Sequence, residues 1–126
     1  MANNNYPTIT LGGTVAKYAL VKINASGVGV VTTGVASEDN ALVGVAQEAG
    51  VSGDSIAVRP IIPGTISDVL VGGAITLGAR VYTAASGKGS STATSLTSVG
   101  IALKAATSDD DIIPVIQTVG GNDDIS

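Results

Sequence analysis

Apolar residues fall in short runs along this chain, and glycine or other turn residues separate the runs. Valine, isoleucine and threonine make up about a third of the residues, and their β-branched side chains favour extended strands. No window of a dozen residues has an apolar stripe at helical spacing without glycine or proline inside it. The pattern therefore predicts little or no helix. The expected strands lie within residues 15–23, 28–33, 41–47, 55–62, 65–71, 74–83, 98–105 and 112–119.

The sequence also matches itself when it is shifted by 60 residues. Residues 12–29 lie over residues 72–89, and eight of the eighteen positions are identical. After a short gap, Val43-Gly44-Val45-Ala46 lies over Val99-Gly100-Ile101-Ala102 at a shift of 56, and Asp54 lies over Asp111 at a shift of 57. Each copy is predicted to be a strand, a Ser-Gly turn, a strand, a variable loop, a VG[VI]A strand, an acidic turn and a strand.

This duplication predicts one β domain over residues 12–119, made of repeats 12–62 and 72–119. A unit of about 60 residues buries too little surface alone and leaves sheet edges open, so two copies sharing a core are favoured. The expected fold class is all-β: a small β-barrel or sandwich built from two quasi-equivalent β repeats, with an extended N-terminal arm. We interpret the matched glycines as scaffold positions and not as paired binding sites.

Composition and charge exclude much chemistry. The chain has no histidine and no cysteine, which removes imidazole bases, thiolate nucleophiles, disulfides and the usual zinc sites. Its net charge of -4 is the wrong sign for a phosphate-binding surface, so nucleic acid is not an expected partner. The first ten residues do not resemble a secretion signal, and the longest uncharged apolar stretch, residues 69–79, is too short to span a bilayer. We expect a soluble protein with no enzymatic activity, no cofactor and no membrane partner.

Three local motifs have alternative functional interpretations. Residues 109–111 and 123–124 are aspartates that could hold a hard cation, although adjacent carboxylates without alternating spacing more often form a solvated turn. Lys88 lies between two glycines, as in carrier domains that display a cofactor, but its flanking residues do not fit that class. Residues 27–34 contain glycines that superficially resemble a dinucleotide loop, yet no helix follows, so we interpret them as a hairpin. No metal, cofactor or catalytic residue is therefore assigned.

The N-terminal segment has a different character from the repeats. Residues 1–11 are predicted to form an arm ahead of the domain, and residues 120–126 a C-terminal tail. The arm is polar at first and then alternates as a strand over residues 8–11. One interpretation is a frayed terminus. The other is an arm that adds a strand to the sheet edge of a neighbouring subunit and buries Tyr6, Ile9 and Leu11 there.

The order of these motifs resembles that of the small capsid decoration, or cement, proteins of tailed bacteriophages. The resemblance covers roughly residues 12–117, and the order and duplication of the motifs carry it. The matching elements are Gly13-Thr14-Val15, Leu20-Val21, Ser26-Gly27, Val43-Gly44-Val45-Ala46, Gly53-Asp54, Ile56-Ala57-Val58 and Val99-Gly100-Ile101-Ala102-Leu103. An acidic run at residues 109–111 stands where that family more often has a Gly-Asp turn.

The resemblance implies a structural protein that binds the outer surface of an expanded icosahedral head and stabilises contacts between capsomers. It implies the major capsid protein as partner, a homotrimer, synthesis in the host cytoplasm and a final place on the outside of the virion. The candidate capsid-binding residues are Asn3, Asn4, Asn5, Tyr6, Pro7, Thr8, Ile9, Thr10 and Leu11. The alternative is a carbohydrate- or receptor-binding β-module on a phage fibre or head, for which Tyr6, Tyr18 and Tyr82 are the available aromatic platforms.

Overall fold

The computed structural model describes residues 6–24, 26–33, 42–62, 64–92 and 98–117. These residues form ten strands and one 3-10 turn, Ala85–Gly87, so the predicted all-β fold is confirmed. No helix among them has the length and apolar character that crossing a membrane requires. The strands are β1 (Thr8–Thr10), β2 (Leu20–Ile23), β3 (Gly29–Val31), β4 (Leu42–Ala46), β5 (Ser55–Pro60), β6 (Ile66–Gly72), β7 (Arg80–Thr83), β8 (Gly89–Ser90), β9 (Ser98–Ala102) and β10 (Asp109–Gln117).

Two predicted strands are shorter than their apolar runs. Strand β2 occupies only the end of residues 15–23, because Tyr18 adopts a left-handed backbone with φ of 67°. The N–H of Ala19 closes this turn on the carbonyl of Ala16 at 3.1 Å. The second repeat turns in the same way at Gly78, with φ of 86°, just before β7. A high density of β-branched residues indicates extended chain, but it does not reveal a left-handed turn of one residue.

Each repeat builds its own curved sheet. The strands of the first repeat pair in the order β1-β5-β4-β2-β3, and those of the second form a closed barrel in the order β10-β6-β8-β7-β9. The barrel closes where β6 and β8 pair in parallel at Val71 and Gly89. In the first repeat, a single parallel bridge between Leu11 and Gly29 joins β1 to β3 at the same place. The expected small β-barrel or sandwich is therefore confirmed, but the described residues form two apolar core clusters where the sequence favoured a single shared core.

Strand β1 is the counterpart of β6, a relation that the sequence alone did not reveal. The shift of 60 residues places Ile9 over Val69 and Leu11 over Val71, and neither pair is identical. Strand β1 runs antiparallel to β5, just as β6 runs antiparallel to β10. Residues 8–11, which the sequence assigned to the arm, therefore lie in the sheet of the first repeat in this structure.

The two cores repeat the same inward-facing positions. Each buried valine or isoleucine contributes about 1.5–3 kcal/mol through removal of apolar surface from water. In the first repeat the inward-facing residues are Leu11, Val15, Val21, Ala46, Ile56 and Val58. Their counterparts in the second repeat are Val71, Ile75, Val81, Ala102, Ile113 and Val115.

The VG[VI]A motif recurs because its glycine lies where two strands cross closely. A Cβ atom on Gly44 would collide with the carbonyl group of Arg59 on β5. A Cβ atom on Gly100 would collide in the same way with the carbonyl group of Ile116 on β10. Only a residue without a side chain fits at these two positions.

Candidate functional site

The N-terminal segment is held against β5 by a regular antiparallel ladder. Thr8 lies opposite Ala57, and the ladder continues to Thr10 opposite Ser55. The N–H of Leu11 donates to the carbonyl of Asp54 at 2.8 Å, beyond the end of β1. Leu11 is only 1% exposed and belongs to the core of the first repeat. Leu11 was predicted to become buried against a neighbouring subunit, but in this structure it is buried within its own chain.

Tyr6, the first described residue of this segment, contacts Arg59 of β5. The guanidinium of Arg59 donates to the Tyr6 hydroxyl at 3.0 Å, and it lies 5.7 Å from the centre of the Tyr6 ring. A cation over an aromatic face adds attraction to the hydrogen bond. Ile9 is half-buried and packs against the first core. Asn3, Asn4 and Asn5 lie outside the described residues.

The opposite edge of β1 is open to pairing. The N–H of Val58 donates to the carbonyl of Pro7 at 2.9 Å, so residues 7, 9 and 11 direct their backbone groups towards β5. Because these groups alternate along a strand, Thr8 and Thr10 direct theirs away from β5. Among the described strands, none pairs with β1 along that second edge, and the contact with β3 is limited to the bridge at Leu11. Such an edge can accept another strand.

The acidic turns are used for structure. The carboxylate of Asp111 accepts the backbone N–H groups of Thr107 and Ser108 at 2.9 and 3.1 Å, and these bonds hold the pKa of Asp111 below its ordinary value. Asp54 makes the equivalent bond to the N–H of Val51 at 2.9 Å in the first repeat. Among the described residues, no three acidic, histidine or cysteine side chains are grouped so that they could hold a metal ion. Residues 123–124 lie outside that part of the chain.

Lys88 is held by carboxylates at the start of β10. Its ammonium lies 2.8 Å from a carboxylate oxygen of both Asp109 and Asp110, and the side chain is 22% exposed. Hydrogen bonds to these two carboxylates raise the pKa of Lys88 above its ordinary value. A lysine held in this way differs from the freely displayed lysine of a carrier domain.

The tyrosines differ in exposure. Tyr82 is buried, and Tyr18 is half-buried with the ammonium of Lys17 located 5.1 Å from its ring centre. Tyr82 therefore offers no exposed ring face to a sugar.

The outer wall of the second barrel carries an apolar row that sequence reasoning did not single out. Ile101 on β9 lies opposite Ile116 on β10, and Ile116 lies opposite Ile66 on β6. These three residues, the isoleucine row, are half-buried except for Ile66, which is 50% exposed. The signal was present in β10, where apolar residues occupy both alternating faces, as in strands that are covered on both sides.

These features define a class of protein: a rigid, duplicated β scaffold with an open strand edge and an exposed apolar row, suited to contact with other proteins. The family model described as phage cement protein matches residues 3–117, and the chain belongs to that family. Members of this family are structural proteins of the phage capsid, so the resemblance found in the sequence is confirmed. Among curated proteins, none matches the chain.

Proposed function

We propose that this protein decorates the outer surface of an expanded icosahedral phage head and stabilises contacts between neighbouring capsomers. Its partner is the major capsid protein, and it acts there as a homotrimer after synthesis in the host cytoplasm. Membership of the phage cement family supports the capsid association. Two tightly packed β cores suit a protein whose task is to resist deformation and not to catalyse a reaction.

The observation that carries this proposal is the open edge of β1. Residues 3–11 lead from the polar start of the chain into that edge, where the backbone groups of Thr8 and Thr10 point away from β5. A strand of a capsid subunit can pair with such an edge through main-chain hydrogen bonds. A trimer engages the lattice at several points, so a modest contact at each point gives firm attachment.

A deletion of residues 2–5 tests the role of the arm. The variant keeps Tyr6 and everything after it, so the ladder between β1 and β5 remains and the unfolding midpoint should stay at the wild-type value. We expect its affinity for undecorated expanded heads, measured by co-sedimentation, to fall by about tenfold or more. The matched control replaces Asn3, Asn4 and Asn5 by serine and keeps the length of the segment.

Two outcomes would contradict the proposal. If the wild-type protein does not sediment with expanded heads, the decoration function is wrong. If the deletion binds as tightly as the wild-type protein, the arm is not part of the contact. The heat resistance of decorated and undecorated heads provides a second measurement, and a cementing protein should raise it.

A further inference from the structure

The two repeats contact each other through unlike faces. The N–H of Leu70 on β6 donates to the carbonyl of Tyr18 at 2.9 Å. The N–H of Gly87, in the 3-10 turn, donates to the carbonyl of Thr32 at 3.1 Å, and the Thr32 hydroxyl donates to the carbonyl of Ala84 at 2.9 Å. The second repeat therefore projects a strand and a turn, and the first repeat receives them.

Apolar side chains also pack across this contact between the repeats. Leu70 points out of its own barrel and joins the core cluster of the first repeat, where it is 8% exposed. Leu20 and Val45 point out of the first sheet and join the core cluster of the second repeat, where both are fully buried. We call Leu70 and Gly87 the projecting face, and Tyr18, Leu20, Thr32 and Val45 the receiving face.

Each face has a counterpart on the other repeat. The repeat alignment gives Thr10 and Gly27 as the projecting counterparts, and Gly78, Arg80, Thr92 and Ile101 as the receiving counterparts. In contrast to the packed originals, Thr10, Gly27, Gly78 and Thr92 are exposed, and the other two are half-buried. A true twofold arrangement of the repeats would have used both sets, so the internal contact is heterologous, and among the described residues one face of each kind is left without a counterpart.

The turns show this difference at a single matched residue. Gly87 and Gly27 both have a left-handed backbone, with φ of 73° and 81°. A Cβ atom on Gly87 would lie 3.0 Å from Ala19 and Val31 of the first repeat, whereas one on Gly27 would meet no atom within 4 Å. The same turn is thus packed in one repeat and exposed in the other.

The open receiving face is apolar at Ile101, but it carries the charged Arg80 where the first repeat has Leu20. Ile101 occupies the position of Val45, and the isoleucine row extends it across β10 to β6. Leu77, which is 62% exposed, adds an apolar side chain beside Gly78.

We propose that the open projecting face of one copy docks on the open receiving face of a second copy of this chain. Within the chain, β6 and the 3-10 turn cover Tyr18, Thr32 and Val45. Between copies, β1 and the turn at Ser26 and Gly27 would cover the corresponding residues of the next copy, which are Gly78, Thr92 and Ile101. This head-to-tail contact rests on the self-association in the proposed function and deepens it, and it requires no capsid. It uses the N–H of Thr10, as the internal contact uses that of Leu70, so a capsid strand would pair with the β1 edge at Thr8 and the residues before it. Because every copy offers one face of each kind, the contact produces a closed ring or a filament.

Engineered cysteines test the contact directly, because the chain has none of its own. Variants Ser26→Cys and Thr92→Cys are made separately and mixed with a short bis-maleimide cross-linker. We expect cross-linked dimers from the mixture and not from either variant alone.

Two substitutions test the strength of the contact. Thr10→Leu installs the residue that the internal contact uses at Leu70, and it should strengthen association measured by sedimentation about tenfold. Ile101→Arg should abolish association, and the variant should still unfold in a single transition.

The proposal is overturned if the wild-type protein is a monomer at every concentration and the mixed cysteine variants fail to cross-link. It is also overturned if one cysteine variant cross-links to itself while the mixture gives nothing further, since that result indicates a symmetric contact. If Ile101→Arg unfolds, the cross-linking result decides. Binding to heads is measured separately, so failure of this contact and failure of the decoration function are distinguishable.

Discussion

At the scale of single residues, the two acidic turns show how one carboxylate shapes a loop. Asp111 accepts two backbone N–H groups and Asp54 accepts one, at equivalent places in the two repeats. Such bonds reach full strength only when the accepting carboxylate is charged. Beside Asp111, Asp110 adopts a left-handed backbone with φ of 71°, where Gly53 has φ of 94° in the first repeat. The acidic run therefore follows the geometry of the Gly-Asp turn that it replaces.

The lowered pKa of Asp111 makes stability depend on pH in a defined direction. A group whose pKa is lowered by folding stabilises the folded state above its unfolded value of 3.8, and this contribution disappears as the pH falls through the folded value. We expect Asp111→Asn to weaken the decline of the unfolding midpoint below pH 3.8. Unfolding curves recorded over a pH series measure this, and an unchanged acid decline would contradict it. Asp68→Asn, at an exposed strand position, is the control.

At the scale of strands, the crossing of β9 and β10 places the strictest demand on the sequence. The carbonyl of Ile116 occupies the space that a side chain at Gly100 would need. A Cβ atom on Gly13, by contrast, would meet no other atom within 4 Å, and the φ of Gly13 is not positive. These two glycines of the same chain therefore differ in whether their surroundings leave room for a side chain.

We expect Gly100→Ala to lower the free energy of unfolding by about 3 kcal/mol or more, because the clash is with backbone that cannot move aside. Gly13→Ala should change it by less than about 0.5 kcal/mol. Urea denaturation of both variants measures the difference. Equal effects would show that the VG[VI]A glycine is not fixed by the strand crossing.

Strand content could be predicted from the sequence, but one strand pairing could not. The duplication could be detected in the sequence at the turn glycines and the VG[VI]A motif, where both repeats need the same residues. Strands β1 and β6 share no such constraint, because Thr10 faces solvent while Leu70 packs into the neighbouring repeat. Equivalent positions in different surroundings acquire different residues, so only the register revealed that the strand predicted in the arm pairs with β5 of its own repeat. The isoleucine row was missed because its members come together across three strands.

At the scale of the whole molecule, the sheet of the first repeat and the barrel of the second are joined by side chains that cross from one to the other. Leu70 enters the first core, and Leu20 and Val45 enter the second. Loss of either sheet would expose apolar surface of its neighbour. The halves are therefore expected to unfold together and not as separate units.

The variant Leu70→Ala tests this coupling. Removal of a buried leucine side chain should lower the free energy of unfolding by about 2–4 kcal/mol while a single transition is retained. Thr10→Ala, at the equivalent exposed position, should cost less than about 0.5 kcal/mol in dilute solution. Two transitions in the wild-type protein, observed by fluorescence and circular dichroism, would show that the repeats are independent.

The short ladder between β1 and β5 has a mechanical consequence. A force applied to the segment at Tyr6 acts on the contact with Arg59 and on the backbone bonds of β1. A pull along the strand loads these bonds together, whereas a pull away from the sheet breaks them one after another, beginning at the contact with Arg59. The direction in which a tether leaves this edge would decide how much tension it carries before the strand detaches.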